Sequence, residues 1–247
     1  TSNLRIGENA GDAIASGGNY NVVLGDEAGT AITTGDNNVA VGYNALATNT
    51  TASTNTAVGY QAAYSNQTGV GITAFGANAL YATTASDNCG IGTDNPGNYA
   101  AALENNTTGR FNTAVATGAL GSNTEGNYNT AVGHSAGTAI TTGDENVMIG
   151  YVAGDAINTS SQNVAVGAYA LTADTKGSKS VAIGRGALNA QNFTSATDSN
   201  NTAVGDLAGY VVTTGSSNSF VGQNAGKNVT TGSNNVFVGA SAGDGSG

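Results

Sequence analysis

One histidine, one cysteine and sixteen carboxylates are what this 247-residue chain offers for acid–base, nucleophilic or metal chemistry. His134 follows Gly133 at a position where other segments carry Tyr43, Tyr60 or Asp206, so an exposed imidazole with no chemical task is expected. Cys89 lies within Asn88-Cys89-Gly90-Ile91-Gly92 with no His near it in sequence. It reads as a small residue packed in a strand, not as a nucleophile. A single His and a single Cys assemble neither a zinc site nor a Cys/His dyad. Asp26, Glu27, Asp36, Asp144 and Glu145 fall among turn residues, and neither an EF-hand loop nor a tandem G-G-x-G-x-D motif is present, so no metal and no cofactor are expected. Glycoside hydrolysis needs a carboxylate pair, and no such pair recurs on a strand-like segment. Gly184-Arg185-Gly186-Ala187-Leu188-Asn189 begins like the phosphate-binding G-x-G-x-x-G but lacks the third Gly and a helix after it. The chain is therefore read as a non-enzyme.

Those glycines belong to a repeat that runs from end to end. The segments 38–46 and 163–171 are copies of one unit, N-x-A-V-G-x-x-A-(G/L), followed by a tail such as Thr33-Thr34-Gly35-Asp36-Asn37. The glycine of the unit recurs at Gly7, Gly25, Gly42, Gly59, Gly76, Gly92, Gly133, Gly150, Gly167, Gly184, Gly205, Gly222 and Gly239, with Ala116 standing in once. The commonest step is 17 residues, which is the length of a short solenoid unit. About 14 such units fill the chain as a single repeat domain over 1–247. The long steps from Gly92 to Ala116 and from Gly184 to Gly205 predict two loop insertions, over 93–111 and 189–200.

Within each unit, branched residues alternate with small ones, as in Val39 and Val41 against Ala40 and Gly42. Period two is strand patterning. The expected fold is all-β, a parallel β-solenoid or β-roll. Its branched face (Val22, Leu24, Val147, Ile149, Val236, Val238) is expected to fill the interior. Its small face (Ala57, Gly59, Ala131, Gly133) is expected to meet another copy of the chain. The T-T-G tails carry turn chemistry. The unit-opening Asn38, Asn146 and Asn163 are expected to stack as an asparagine ladder, alongside the structural glycines Gly42, Gly59, Gly133, Gly150 and Gly167.

Composition narrows the function classes. Six Lys+Arg against sixteen Asp+Glu give a net charge of -10, which repels nucleic acid. No apolar run reaches the roughly 20 residues of a membrane span, so this segment is not expected to insert in a membrane. Few lysines and a polar Asn/Thr/Ser/Gly surface point outside the cell. A lone cysteine permits no internal disulfide. The pattern is cut at both ends, which predicts a mature product, a fragment or one section of a longer protein. Ice binding would need Thr rows on a flat strand face, whereas the Thr pairs lie in the tails.

The unit N-(T/V)-A-(V/I)-G-x-x-A, seen at 55–62, 129–136, 201–208 and 235–242, resembles the head repeats of trimeric autotransporter adhesins of the YadA type and is similar to repeats in phage tail-fibre proteins. The resemblance covers almost the whole chain, although the T-T-G tail makes each unit longer than in those heads. It implies a left-handed β-roll, a homotrimer, and attachment to a host surface or matrix from the cell surface or virion. The expected function is an extracellular structural or adhesive fibre, with a self-assembling extracellular filament subunit as the alternative. Partners would be further copies of the chain and a host-surface glycan or protein. The two loops hold the candidate ligand-binding residues: Tyr99, Arg110 and Phe111, beside Pro96, in the first, and Asn192 and Phe193 in the second. Aromatic rings next to amide and guanidinium groups suit sugar or protein recognition.

Overall fold

The computed structural model describes residues 2–14, 17–95 and 97–245; Pro96 lies outside them. Among the described residues there is no helix, hence none long and apolar enough to cross a membrane. The chain divides into two compact units, Thr1–Asn127 and Tyr128–Gly247. The first holds β1 (Leu4–Ile6), β2 (Val22–Leu24), β3 (Val39–Val41), β4 (Thr56–Val58), β5 (Thr73–Phe75), β6 (Cys89–Ile91) and β7 (Thr113–Val115). The second holds β8 (Thr130–Val132), β9 (Val147–Ile149), β10 (Val164–Val166), β11 (Gly177–Ser178), β12 (Val181–Ile183), β13 (Thr197–Asp198), β14 (Thr202–Val204), β15 (Ser219–Val221) and β16 (Val236–Val238). In each unit the three-residue strands pair in parallel with the equivalent strand of the next coil. Ala40 lies opposite Ala57, and Ala165 opposite Ala182. The two-residue β11 and β13 form a small separate parallel pair. The fold is thus a parallel β-solenoid, about 14 coils set about 17 residues apart.

The faces of the strands are the reverse of the sequence expectation. The middle residue of each three-residue strand from β2 to β15 is buried, Val23, Ala40, Ala57, Ala131, Met148 and Phe220 fully so. The branched residues on either side, including Val22, Leu24, Val147, Ile149, Val236 and Val238, are half-buried or exposed. The reason is the width of the coil. A middle residue faces the turn that follows the strand, whose Ala (Ala28, Ala45, Ala62, Ala136, Ala170, Ala225) is also fully buried, and between them there is room for little more than methyl groups. Period two names two faces but not which one is inside.

Larger middle residues are admitted where the opposing turn gives way. Where that turn carries Leu, as at Leu46 and Leu171, the neighbouring strands offer Ala40, Ala57, Ala165 and Ala182. Where it carries Gly, the strands offer Val23, Met148 or Phe220. A Cβ on Gly29 would stand 2.7 Å from Val23 Cγ1 and 2.8 Å from Ile32 Cδ1, and one on Gly209 would stand 2.9 Å from Phe220 Cδ2. Core volume is thereby conserved from coil to coil while its source changes.

The glycine closing each strand has φ between 124° and 158° at thirteen positions, and Ala116 takes φ 104°. A Cβ on Gly150 would lie 2.6 Å from the carbonyl carbon of Gly167 and 3.0 Å from the nitrogen of Ala168. Successive coils therefore touch backbone to backbone along this column. The asparagines form the expected ladder with a different bonding rule. Asn163 donates its main-chain N–H to Asn146 Oδ1 at 3.0 Å, as Asn146 does to Asn129 Oδ1, while Asn163 Nδ2 donates to the carbonyl of Gly177 at 2.9 Å. Asn38 repeats this with Asn21 Oδ1 and the Ala52 carbonyl. Amide-to-amide bonds also occur, as from Asn146 Nδ2 to Asn129 Oδ1 at 3.1 Å. Each fully buried asparagine thus satisfies backbone groups that no strand reaches.

Among the described residues five buried side-chain oxygens have no hydrogen-bond partner, the Oδ1 atoms of Asn49, Asn78, Asn123, Asp155 and Asn224, and only Asp155 can carry charge. Desolvation pushes the Asp155 carboxyl pKa up, against the lowering effect of nearby backbone N–H groups. A carboxyl whose folded pKa lies above its unfolded value binds its proton more tightly when folded, so stability falls as pH rises through this window and stays lower above it. Asp155→Asn is expected to raise the melting temperature at neutral pH, with the gain shrinking towards about pH 3, where both forms are neutral; thermal melts at the two pH values check this.

Candidate binding surfaces

Three surfaces stand out. The first is the outward face of the strands. Its third-residue column is apolar in every strand of the main stack: Ile6, Leu24, Val41, Val58, Phe75, Ile91 and Val115 in the first unit, then Val132, Ile149, Val166, Ile183, Val204, Val221 and Val238 in the second. The first-residue column beside it is Val, Leu, Thr, Ser or Cys. Phe75 is 56% exposed and Val238 70%. Within each unit the column makes an apolar strip on the outside of the coil, of a kind that suits an interaction surface. Cys89 belongs to it and is half-buried; burial pushes its thiol pKa up, away from the reactive thiolate.

The second surface is the first insertion, which is shorter than the sequence suggests. Asp94 N–H still bonds the Ala77 carbonyl of the coil below, and the Ala100 carbonyl already accepts Gly118 N–H from the coil above. The chain therefore leaves the stack between Asp94 and Ala100, where an antiparallel bridge joins Asn95 and Tyr99. Tyr99 lines a concavity of about 310 Å³ with Asp94, Asn98 and Glu104. Arg110 and Phe111 lie outside the insertion. They hold regular turn positions, where Phe111 takes φ 59° like Tyr20 and Tyr128 at equivalent places. Arg110 stacks over the Phe111 ring, 5.5 Å from its centroid, and reaches Asp87 at 3.4 Å. It borders a separate groove of about 300 Å³ with Thr68, Thr84, Ser86 and Thr108. The structure thus does not gather Tyr99, Arg110 and Phe111 into one site.

The second insertion corrects a further expectation. Asn192 N–H remains in register with the Thr213 carbonyl, and the Ser199 carbonyl accepts Ser217 N–H, so the added residues lie between 192 and 199. Asn192 is exposed and accepts a hydrogen bond from Thr175 Oγ1 at 3.1 Å. Phe193 is not presented to a ligand: it is only 7% exposed, and its ring packs so near Gly177 that a Cβ there would stand 2.8 Å from Cδ2. Beneath it a buried polar cluster replaces the asparagine ladder. Asp174 accepts N–H groups of Gly177 and Phe193 at 2.9 and 3.2 Å and is met by Gln191 Nε2 at 2.5 Å. Gln191 also donates to Ser180 and accepts from Asn201.

The third surface was not singled out from the sequence. Turn residues of four successive coils, Tyr169, Arg185, Asn189, Leu207, Tyr210 and Lys227, line a groove of about 440 Å³ within the second unit. They sit two or five residues after a repeat glycine, or directly after it in the case of Arg185. Comparing those columns across the units points to the cluster by its charge: tyrosine recurs in them, as at Tyr64 and Tyr81, but the Lys and Arg residues in them are Arg185 and Lys227. His134, expected to be exposed and idle, stacks on Tyr151 at 5.7 Å and 30°, and Tyr151 meets Tyr169 edge-on at 5.4 Å. Among the described residues no group of three or more His, Cys, Asp or Glu is placed to hold a metal ion. Compared with known proteins, the chain matches no family model, no curated protein and no solved structure.

Proposed function

We propose that this chain is a non-catalytic subunit of an extracellular fibre or adhesin head that assembles with copies of itself through the apolar strand face and displays its turns for attachment. The observation that carries this reading is the third-residue column, apolar in every strand of the stack while the turns remain polar. Such a strip costs free energy in water and gains it on burial, at about 25 cal/mol per Å². A closed assembly removes it from solvent without leaving a new edge. The resemblance of the repeat to adhesin heads and tail-fibre segments supports three copies around one axis, with the strip inside. In that arrangement the small residues pack within each coil and the branched residues pack between chains.

The test is absolute mass in solution by light scattering, with negative-stain imaging. A mass near three times 24.0 kDa with particles of uniform length is expected. Open-ended fibres would replace the closed trimer by a filament subunit, and a stable 24.0 kDa monomer would overturn the assembly reading.

A further inference from the structure

We infer that the groove formed by Tyr169, Arg185, Asn189, Tyr210 and Lys227 binds an acidic oligosaccharide, a sugar chain carrying carboxylates. This deepens the attachment reading by giving it a ligand class. The groove needs no residue of the strand face, because each of its lining residues lies on a turn.

Charge is the first argument. The chain has only six Lys and Arg against a net charge of -10, yet two of the six line this one groove and no carboxylate does. Asp206, beside it, holds Arg185 through Nε at 3.0 Å and through Nη2 at 3.1 Å. A bidentate clamp of this kind fixes the guanidinium plane and leaves its remaining N–H groups for a ligand. Lys227, a half-buried residue, adds a second cation. A dense polyanion such as nucleic acid would be repelled by the surrounding surface, whereas a single carboxylate on an otherwise neutral sugar chain meets Lys227 and the Arg185 N–H groups that Asp206 leaves open.

The walls are the second argument. Tyr169 is 46% exposed and meets Tyr151 in an edge-to-face contact, and Tyr210 lines the groove with it. Gly186 makes this spacing possible. It occupies the turn position that holds Tyr169 and Leu207 in flanking coils, and a Cβ there would lie 2.9 Å from Leu207 Cδ2 and 3.3 Å from Tyr210 Cδ2. The electron-rich faces of tyrosine attract the slightly positive C–H face of a pyranose, and each phenol adds a hydrogen-bonding group. Asn189 donates Nδ2 to the Tyr169 carbonyl at 3.1 Å, which orients its amide and leaves the oxygen to accept a sugar hydroxyl. At about 440 Å³ the groove falls within the range of roughly 300–1,000 Å³ typical of small-ligand sites.

The experiment is calorimetric titration with an α-1,4-linked galacturonate trisaccharide and with the same trisaccharide after reduction of its carboxylates to hydroxymethyl groups. The acidic form is expected to bind at least tenfold more tightly than the neutral one. Lys227→Gln is expected to remove that preference while leaving neutral binding unchanged. Tyr210→Ala is expected to weaken both ligands by tenfold or more. Tyr99→Ala, in the other unit, is expected to change neither. Melting curves of the variants, matched to the unsubstituted protein, show that each is folded. The inference is overturned if the protein binds neither trisaccharide, if Lys227→Gln leaves the preference intact, or if Tyr210→Ala leaves both affinities intact. Mass measured on the same samples keeps the readings apart. Lost binding in an intact assembly counts against the groove alone, and retained binding by a monomer counts against the assembly alone.

Discussion

Gly150→Ala is expected to cost the second unit about 3–5 kcal/mol, enough to abolish a cooperative melt in a repeat stack of ordinary stability. Two effects add. The residue sits at φ 138°, a conformation that costs a non-glycine residue about 1–3 kcal/mol. Its new Cβ would also stand 2.6 Å from the carbonyl carbon of Gly167, where only main chain can yield, and separating two coils breaks hydrogen bonds on both sides. Gly239→Ala isolates the first effect. That glycine has φ 124°, but a Cβ there would meet nothing nearer than Ala242 Cβ at 4.0 Å. Denaturant unfolding of the two variants should therefore show the Gly150 loss at least twice the Gly239 loss. Equal losses would mean that backbone contact between coils is not what the glycine column serves.

Ile149→Lys combined with Ile183→Lys should convert the assembly to monomer without unfolding the coil. Both side chains lie in the exposed third-residue column, at 38% and 39% exposure in the isolated chain, so lysine is accommodated there before association. After association each isoleucine would lose its contribution of about 2 kcal/mol from burial, and each ammonium would be confined without a partner, at a cost of several kcal/mol more. The expected weakening exceeds about a thousandfold. Light scattering should then report 24.0 kDa instead of three times that mass, with the far-ultraviolet circular dichroism and melting curve of the coil retained. An unchanged trimer mass would place the contact on another surface, while loss of the dichroism signal in both this variant and Val166→Lys alone would show that the column belongs to the interior.

The two insertions show how far spacing carries. Extra residues between Gly92 and Ala116 and between Gly184 and Gly205 are plain in the sequence, because each is a departure from a repeat. Spacing does not say where within the unit the chain leaves the coil. The hydrogen bonds of Asp94, Ala100, Asn192 and Ser199 to their neighbouring coils do, and they return Arg110 and Phe111 to the regular stack while placing Phe193 in the core. The groove of Tyr169, Arg185, Tyr210 and Lys227 went unseen for a related reason. Its members lie up to 58 residues apart and become neighbours only because parallel coils bring equivalent turns together.

By itself the sequence determined the repeat, its length, the parallel stacking, the turn glycines and the asparagine column, because each of these follows from residue type recurring at a fixed step. The tertiary structure decided which strand face is inside. Alternation at period two is symmetric between the faces, and the choice falls to the narrow space between a strand and the turn behind it, which accepts Ala40 or Ala165 freely, accepts Met148 or Phe220 only opposite glycine, and leaves the branched neighbours outside.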